Sequence, residues 1–600
     1  MATETKVQQL VHKLEEGSWV KWVKFAVIVS AVLFNINLWF FRDAGFQGLS
    51  HAMGMEQAQI AREIARGNGF TTKMIRPAAL WLFEKNTGKF PVDKQPDIYH
   101  APLNPYINAG AILIADAVND MFREAGKTRE KLSWLTYEKS MGTKTFVYAY
   151  DRLLAGVQVL FFLLAVLINY FTARRLFDER LAALAACMML VCQRFWDYAV
   201  CGLPQMLMLF LFSAAAHALV RAVEAKYLNK SPLPWLSATA VLFGLLALTH
   251  GLTIWMFAGT LIFAVFAFRP LGRDAAIMAA IFMVIYTPWL VRNQQVCGTP
   301  VGLGWYSGLH ILRGTESELM RSLDVSLSGL SPVTFRQKIQ SETVDQAYSL
   351  TTLLGGTTMA LVFFVTLLHL FKRPETAIFR WAILAMWLSA VLGMSVFGRS
   401  ERGGLWANDL HVLFIPLMLC YGLAFVLVMW TRLEIHVRLA RLGFLGLLFF
   451  VSALPFIQTT IQMLSGPRSQ VQWPPYVAPY IAIMRTWTTE KEIITTDMPW
   501  AVAWYAERNS LWLPETIEDF IDLNDYKKLN GAVVGLYLTP VSANRGFISE
   551  VIKGEFKEWA PFITRNVSTR DFPLKVSTVM PVENECIFYS DRDRWTVRED

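Results

Sequence analysis

Apolar runs of about 17–22 residues recur along this chain, the length that crosses a hydrocarbon core as a helix. They lie near 24–42, 151–172, 181–199, 203–222, 234–249, 252–268, 275–292, 351–371, 378–397, 410–430 and 442–463. About eleven such runs predict a polytopic α-helical membrane protein, because backbone in lipid must satisfy its own hydrogen bonds. Composition agrees: 54% of the 600 residues are hydrophobic and only 17% are charged, against roughly 25% charged in soluble domains. The formal charge of +8 sits at the ends of apolar runs. Lys13, Lys21 and Lys24 precede the first run; Arg174, Arg175 and Arg180, then Arg269 and Arg273, then Lys372, Arg373 and Arg380, then Arg432, Arg438 and Arg441 follow later ones. With about eleven spans these links share one face, so the positive-inside rule places them and the N-terminus in the cytoplasm. Membrane orientation accounts for the basic balance, and nucleic acid is not an expected partner.

The chain divides into three parts on this reading. Residues 1–23 have apolar positions at helical spacing and read as a cytoplasmic amphipathic helix. Residues 24–464 form the membrane domain, with external loops 43–150 and 293–350. Residues 465–600 lose the membrane character. Ile493–Thr496 and Ala532–Leu538 read as strands, Val502–Glu507 and Thr516–Leu523 as helices, which predicts an extracytoplasmic α/β domain with a largely parallel sheet. The six cysteines show no zinc spacing. A Cys297–Cys586 disulfide is left open.

The polar stretch Asp43–Pro77, directly after the first run, carries the candidate chemistry. Helices are expected over 52–66 and 74–84, and 105–118 is apolar enough to lie on or dip into the bilayer. Glu56, at the start of the first of these helices, could take a proton from an acceptor hydroxyl; the alternative is an ordinary acid at a helix start. Arg62, Lys73 and Arg76 follow, the residue types that hold a phosphate, or that merely solvate a helix face. His100, in Tyr99-His100-Ala101-Pro102, is a further phosphate ligand or a structural hydrogen-bonder. A third cluster holds Arg194 and Asp197, then Gly202-Leu203-Pro204-Gln205. With His250, Arg292 and Asn293 these groups reach the same outer level, which suggests a cavity there. Gln57 and Gln205 would line it. A metal site of Asp43 and Asp97 stays open, and a divalent cation is the one cofactor left open with it.

Glu56-Gln-Ala-Gln-Ile-Ala-Arg62, Arg66-Gly-x-Gly69-Phe-Thr-Thr, Ile75-Arg76-Pro77, Ala101-Pro102-Leu103, Gly202-Leu203-Pro204 and Pro288-Trp289-Leu290-Val291-Arg292-Asn293 resemble bacterial GT-C glycosyltransferases, a superfamily of membrane enzymes. The nearest groups are the protein O-mannosyltransferases and the aminoarabinose transferases of lipid A. The likeness covers residues 25–300. It implies a polyprenyl-phosphate sugar donor, inversion at the anomeric carbon, an acceptor glycan, lipid or protein, and a place in the bacterial inner membrane with catalysis at the external face. Carried over, it makes Glu56 the base, with Asp197 a second acid, and Arg62, Lys73, Arg76, His100 and Arg292 ligands of the donor phosphate. Glu56 stands where the family usually has Asp, and Gln205 where relatives often have an acid. These departures keep a second reading open, a catalytically inactive subunit of an envelope complex. A transporter or flippase is a third.

Overall fold

The computed structural model describes residues 29–41, 46–88, 94–124, 134–138, 144–312, 316–325, 331–398, 404–433, 438–465, 478–525, 529, 531–542, 548–566, 572–579 and 586–595. The expected helix over 1–23, and Asp43, lie outside them. Among the described residues six helices are long and apolar enough to cross a membrane: Ala149–Leu176, Gln205–Tyr227, Arg273–Cys297, Pro374–Phe397, His411–Arg432 and Gly443–Leu464. The run expected at 181–199 is two helices, Glu179–Leu190 and Gln193–Cys201, bent by 53°, and counting them as one span brings the total to seven. Val29–Phe40, Leu233–Ala247 and Thr253–Ala267 are apolar but shorter. The run at 351–371 is not one span. Gly355 and Gly356 both adopt positive φ and separate Leu350–Leu353 from Thr358–Thr366.

Gln205–Tyr227 is buried along most of its length, packed by Ala149–Leu176 and Leu233–Ala247. Two close approaches bring helices together elsewhere. A Cβ on Gly259 would lie 2.5 Å from Ala385 O, and one on Gly422 would overlap Met359 O.

The first polar segment folds over one end of this bundle. Helix Ala52–Ala65 is capped by His51, whose ring accepts from Met53 N. Gly54 lets that helix rest directly on the Gly202 turn, where an added Cβ would meet Gly202 backbone at 2.9 Å. Pro77 fills the first position of helix Pro77–Thr87, and Gly88 ends it in the left-handed conformation. The expected 74–84 helix therefore starts later: Met74–Ile75 is a strand, β1. Helix Leu103–Glu124 buries Asn104 and Asn108 and exposes Tyr106, Ile114 and Met121, an apolar face suited to the membrane surface. A hairpin of β2 (Trp134–Glu138) and β3 (Lys144–Tyr148) follows, which the sequence pattern did not reveal.

Residues beyond 478 build most of a six-stranded sheet. Its strands are β4 (Ile493–Thr496), β5 (Asn509–Trp512), β6 (Val533–Leu538), β7 (Val576–Val579) and β8 (Ile587–Ser590), in the order β1-β5-β4-β6-β8-β7. The β1, β5, β4 and β6 neighbours are parallel, and β8 and β7 add antiparallel pairs. The edge strand β1 comes from the first polar segment, with Met74 opposite Ser510 and Ile75 opposite Leu511. Val502–Ala506 is a single π turn, and Ile517–Asp525 an α-helix. All six cysteines are free, Cys297 and Cys586 among them.

Candidate active site

Four charged side chains meet between the first helix and the loop before Leu103. Glu56, Arg76, Asp97 and His100 are each at most 6% exposed. Arg76 donates to Glu56 Oε2, and His100 Nε2 lies 2.9 Å from the same oxygen. Asp97 holds His100 twice: Oδ1 accepts its backbone N–H at 2.8 Å, and Oδ2 lies 3.3 Å from ring Nδ1. The Arg76 guanidinium stacks on Tyr99, 4.2 Å from the ring centre.

Charge pairing decides the protonation states. Burial alone would raise the Glu56 carboxyl, but Arg76 and then His100 outweigh it and hold Glu56 below its ordinary value. Asp97 is likewise lowered against its burial, chiefly by His100. For His100 burial works downward, yet Asp97 first and Glu56 after it raise it to about 9. The cluster is thus two anions and two cations near neutral pH, with both imidazole nitrogens engaged. Among the described residues no group of three or more His, Cys, Asp or Glu is placed to hold a metal ion.

The cluster backs onto a cavity of about 350 Å³. Gln57, His100, His250 and Asn293 line it, with Tyr99, Trp255, Tyr286, Trp289 and Trp305 as an aromatic wall. Glu56 does not line it, whereas its partner His100 and the next residue, Gln57, do. The turn carrying His250 joins Leu233–Ala247 to Thr253–Ala267. Burial, with the charge of His100, lowers His250 to about 4, so it is neutral.

Several residues expected at the site are elsewhere. Arg62 donates to Trp504 O (2.7 Å) and Ala503 O (2.8 Å) and stacks on the Trp504 ring. Lys73 donates to Glu507 O. Glu507 also pairs with Arg66 at 2.9 Å and with Arg62 at 3.7 Å. These cations fasten the first segment to the π turn before β5 and are not turned to the cavity. Arg292 donates to Asp97 O at 2.6 Å and to Asn293 Oδ1 at 2.9 Å, so it holds the His100 loop in place. Of the five expected phosphate ligands, only His100 is in the cavity wall.

The third cluster is a clamp. Arg194 and Tyr198 both donate to Asp409 Oδ2, at 2.6 and 2.9 Å. Gln205 Nε2 donates to Trp406 O and Ala407 O, so Gln205 does not line the cavity but fixes the segment whose Ala407 and Asn408 do. Asp197 is on the same helix as Arg194 and is not in the wall. Asp97 is the residue that sequence reasoning undervalued; its place three residues before His100, where a carboxylate can cap a backbone N–H, was the available signal.

Residues 150–291 match the family model for dolichyl-phosphate-mannose-protein mannosyltransferase. No curated protein matches the sequence. Among solved structures, the oligosaccharyltransferase AglB from Archaeoglobus fulgidus, in complex with an inhibitory peptide and a dolichol-phosphate, is 13% identical, with 91% of this chain and 73% of that one covered at a TM-score of 0.52. ArnT from Cupriavidus metallidurans, bound to undecaprenyl phosphate, is 12% identical, with 94% and 98% covered at 0.51. The chain has the fold of these GT-C structures. The family match takes in Asp197, Gln205 and His250 but neither Glu56 nor His100. The GT-C likeness gives the fold; the charged cluster must be read from its own geometry.

Proposed function

We propose that this chain is a GT-C inverting glycosyltransferase that moves a sugar from a polyprenyl-phosphate-linked donor to an extracytoplasmic acceptor. The acceptor hydroxyl oxygen attacks the anomeric carbon, the bond from that carbon to the phosphate oxygen breaks, and the hydroxyl proton passes to Glu56. One displacement inverts the centre. The lipid phosphate leaves with its electron pair, and His100, cationic and in the cavity wall, faces that charge. Once the acceptor has joined the bound donor, His100 Nε2, 2.9 Å from Glu56 Oε2, turns to the phosphate and uncovers the carboxylate for the acceptor hydroxyl. Asp97 and Arg76 are positioning groups. The reading places the cavity on the outer side of a bacterial inner membrane, with the N-terminus cytoplasmic.

The observation that carries it is the buried Glu56–His100–Asp97 line, whose middle member His100 is in the cavity wall, in a fold shared with structures in complex with lipid phosphates. The test is transfer by purified full-length protein in liposomes. Glu56→Gln and Glu56→Ala are expected to lose at least about 100-fold in rate, the usual scale for general base removal. Full transfer by either variant refutes the assignment.

A second reading has its own support. Glu56 is engaged by both Arg76 and His100 and does not line the cavity, and Gln205 is tied to backbone carbonyls. A catalytically inactive subunit of a membrane complex would retain such a frozen cluster. A partner of fixed stoichiometry, with no turnover of any lipid-linked sugar, would select it.

A further inference from the structure

The hydrogen-bonding groups of the cavity wall can be sorted by what their other ends already hold. The backbone N–H of Leu207 can only donate, and it donates to Gln158 Oε1 at 3.2 Å. That orients the Gln158 amide, whose Nε2 donates to Asn104 Oδ1 at 3.0 Å. Asn104 is oriented in turn, and its Nδ2 donates to Gln57 Oε1 at 2.6 Å. Gln158 and Asn104 are buried, so neither amide can flip without stranding a polar atom. The relay therefore runs one way. Gln57 reaches the cavity with its carbonyl occupied and its amide nitrogen left to donate.

Two more wall residues have the same polarity. Asn293 Oδ1 accepts from Arg292, so the amide nitrogen is the end of this wall residue that has donors to offer. His250 Nδ1 accepts from Leu252 N at 3.3 Å, so the proton of this neutral ring is on Nε2. Asn408 has the opposite polarity, since its amide nitrogen donates to Gly398 O and its carbonyl is left over, and the wall hydroxyls of Thr249, Ser307 and Tyr286 are neutral and can take either role. No carboxylate is among the described residues of the wall. Glu56 and Asp97 are paired with Arg76 and His100, and Asp409, next to Asn408, with Arg194.

We infer that Gln57, Asn293 and His250 determine specificity, as a donor wall that reads oxygen acceptors on the glycosyl head and turns away a glycosyl group bearing an ammonium. The inference rests on the glycosyltransferase reading above. A sugar hydroxyl or ring oxygen can accept from all three groups. An ammonium carries only donors, and here it would meet N–H groups and an imidazolium with no carboxylate to compensate it. The aromatic wall serves either sugar, so the polarity of the amides decides.

The test is native mass spectrometry of the full-length protein with short-chain polyprenyl phosphates of one lipid and one linkage. The sugar is a hexose, the 2-amino-2-deoxyhexose, or its N-acetyl form. At pH 7 the hexosyl lipid is expected to bind at least about tenfold more tightly than the free amine, with acetylation recovering most of the difference. Gln57→Glu and Asn293→Asp keep the existing acceptor contacts and add negative charge to the wall. Each is expected to narrow the gap at least about fivefold, and having two guards against one misfolding. Equal or tighter binding of the amine by the unaltered protein overturns the inference, as does an unchanged gap in both variants. Hexosyl lipid bound but never transferred defeats the transferase reading and leaves the charge selection standing. Failure to bind any of the lipids overturns both.

Discussion

The buried His100 makes stability depend on pH in a defined window. Its protonated form is favoured by Asp97 and Glu56, which raise it from 6.5 to about 9. A group whose affinity for a proton is higher in the folded state stabilises that state fully below the unfolded value, and the contribution is lost as pH rises through the folded one. The window therefore runs from about pH 6.5 to about pH 9. A rise of this size corresponds to about 3 kcal/mol across the window, most of it still present at pH 7. His100→Gln removes the charge while retaining a polar side chain of similar reach. The assay is thermal unfolding of the full-length protein in lipid nanodiscs, followed by intrinsic fluorescence at closely spaced pH values. The unaltered protein should unfold well above the variant at pH 6.5, and the two curves should converge by about pH 9.5. Parallel curves across that range would refute the argument, because they would mean that His100 titrates equally in the folded and unfolded chains.

Two further outcomes follow from contacts away from the cavity. Arg62→Ala strands the carbonyls of Ala503 and Trp504 and removes a cation beside Glu507, and should cost about 3–5 kcal/mol, the scale for breaking a buried charged contact; hydrogen exchange should show residues 493–512 opening before the helical bundle does. Gly422→Ala drives a methyl group into Met359 O and should cost about 1–3 kcal/mol as the two helices part, read as a lower unfolding temperature with unaltered lipid binding.

The spans were legible because each is a long apolar run, and all six helices that qualify by length fall on such runs. The run at 351–371 misled because hydropathy counts apolar residues, not continuity, and two adjacent glycines there turn the backbone. Within the first polar segment, Arg62, Lys73 and Arg76 look alike in sequence. Only Arg76 meets Glu56, because Trp504 and Glu507 arrive from more than four hundred residues downstream to take the other two. Strand β1 has two residues, too few for any periodicity to show. Asp97 was visible as an acid near a histidine, but nothing local announced that it holds both the ring and the backbone of His100.

The pairing of Met74–Ile75 with Ser510–Leu511 sets the order in which this protein can be completed during synthesis. Arg76 leaves the ribosome early, yet the strand that anchors the residue beside it emerges only after every long apolar helix has been made. A chain interrupted before Leu511 would carry all six of these long apolar helices and still lack the strand partner beside its ion-paired cluster. The strand pairing beside the cluster is therefore laid down late in synthesis, after the bundle on which the cluster rests.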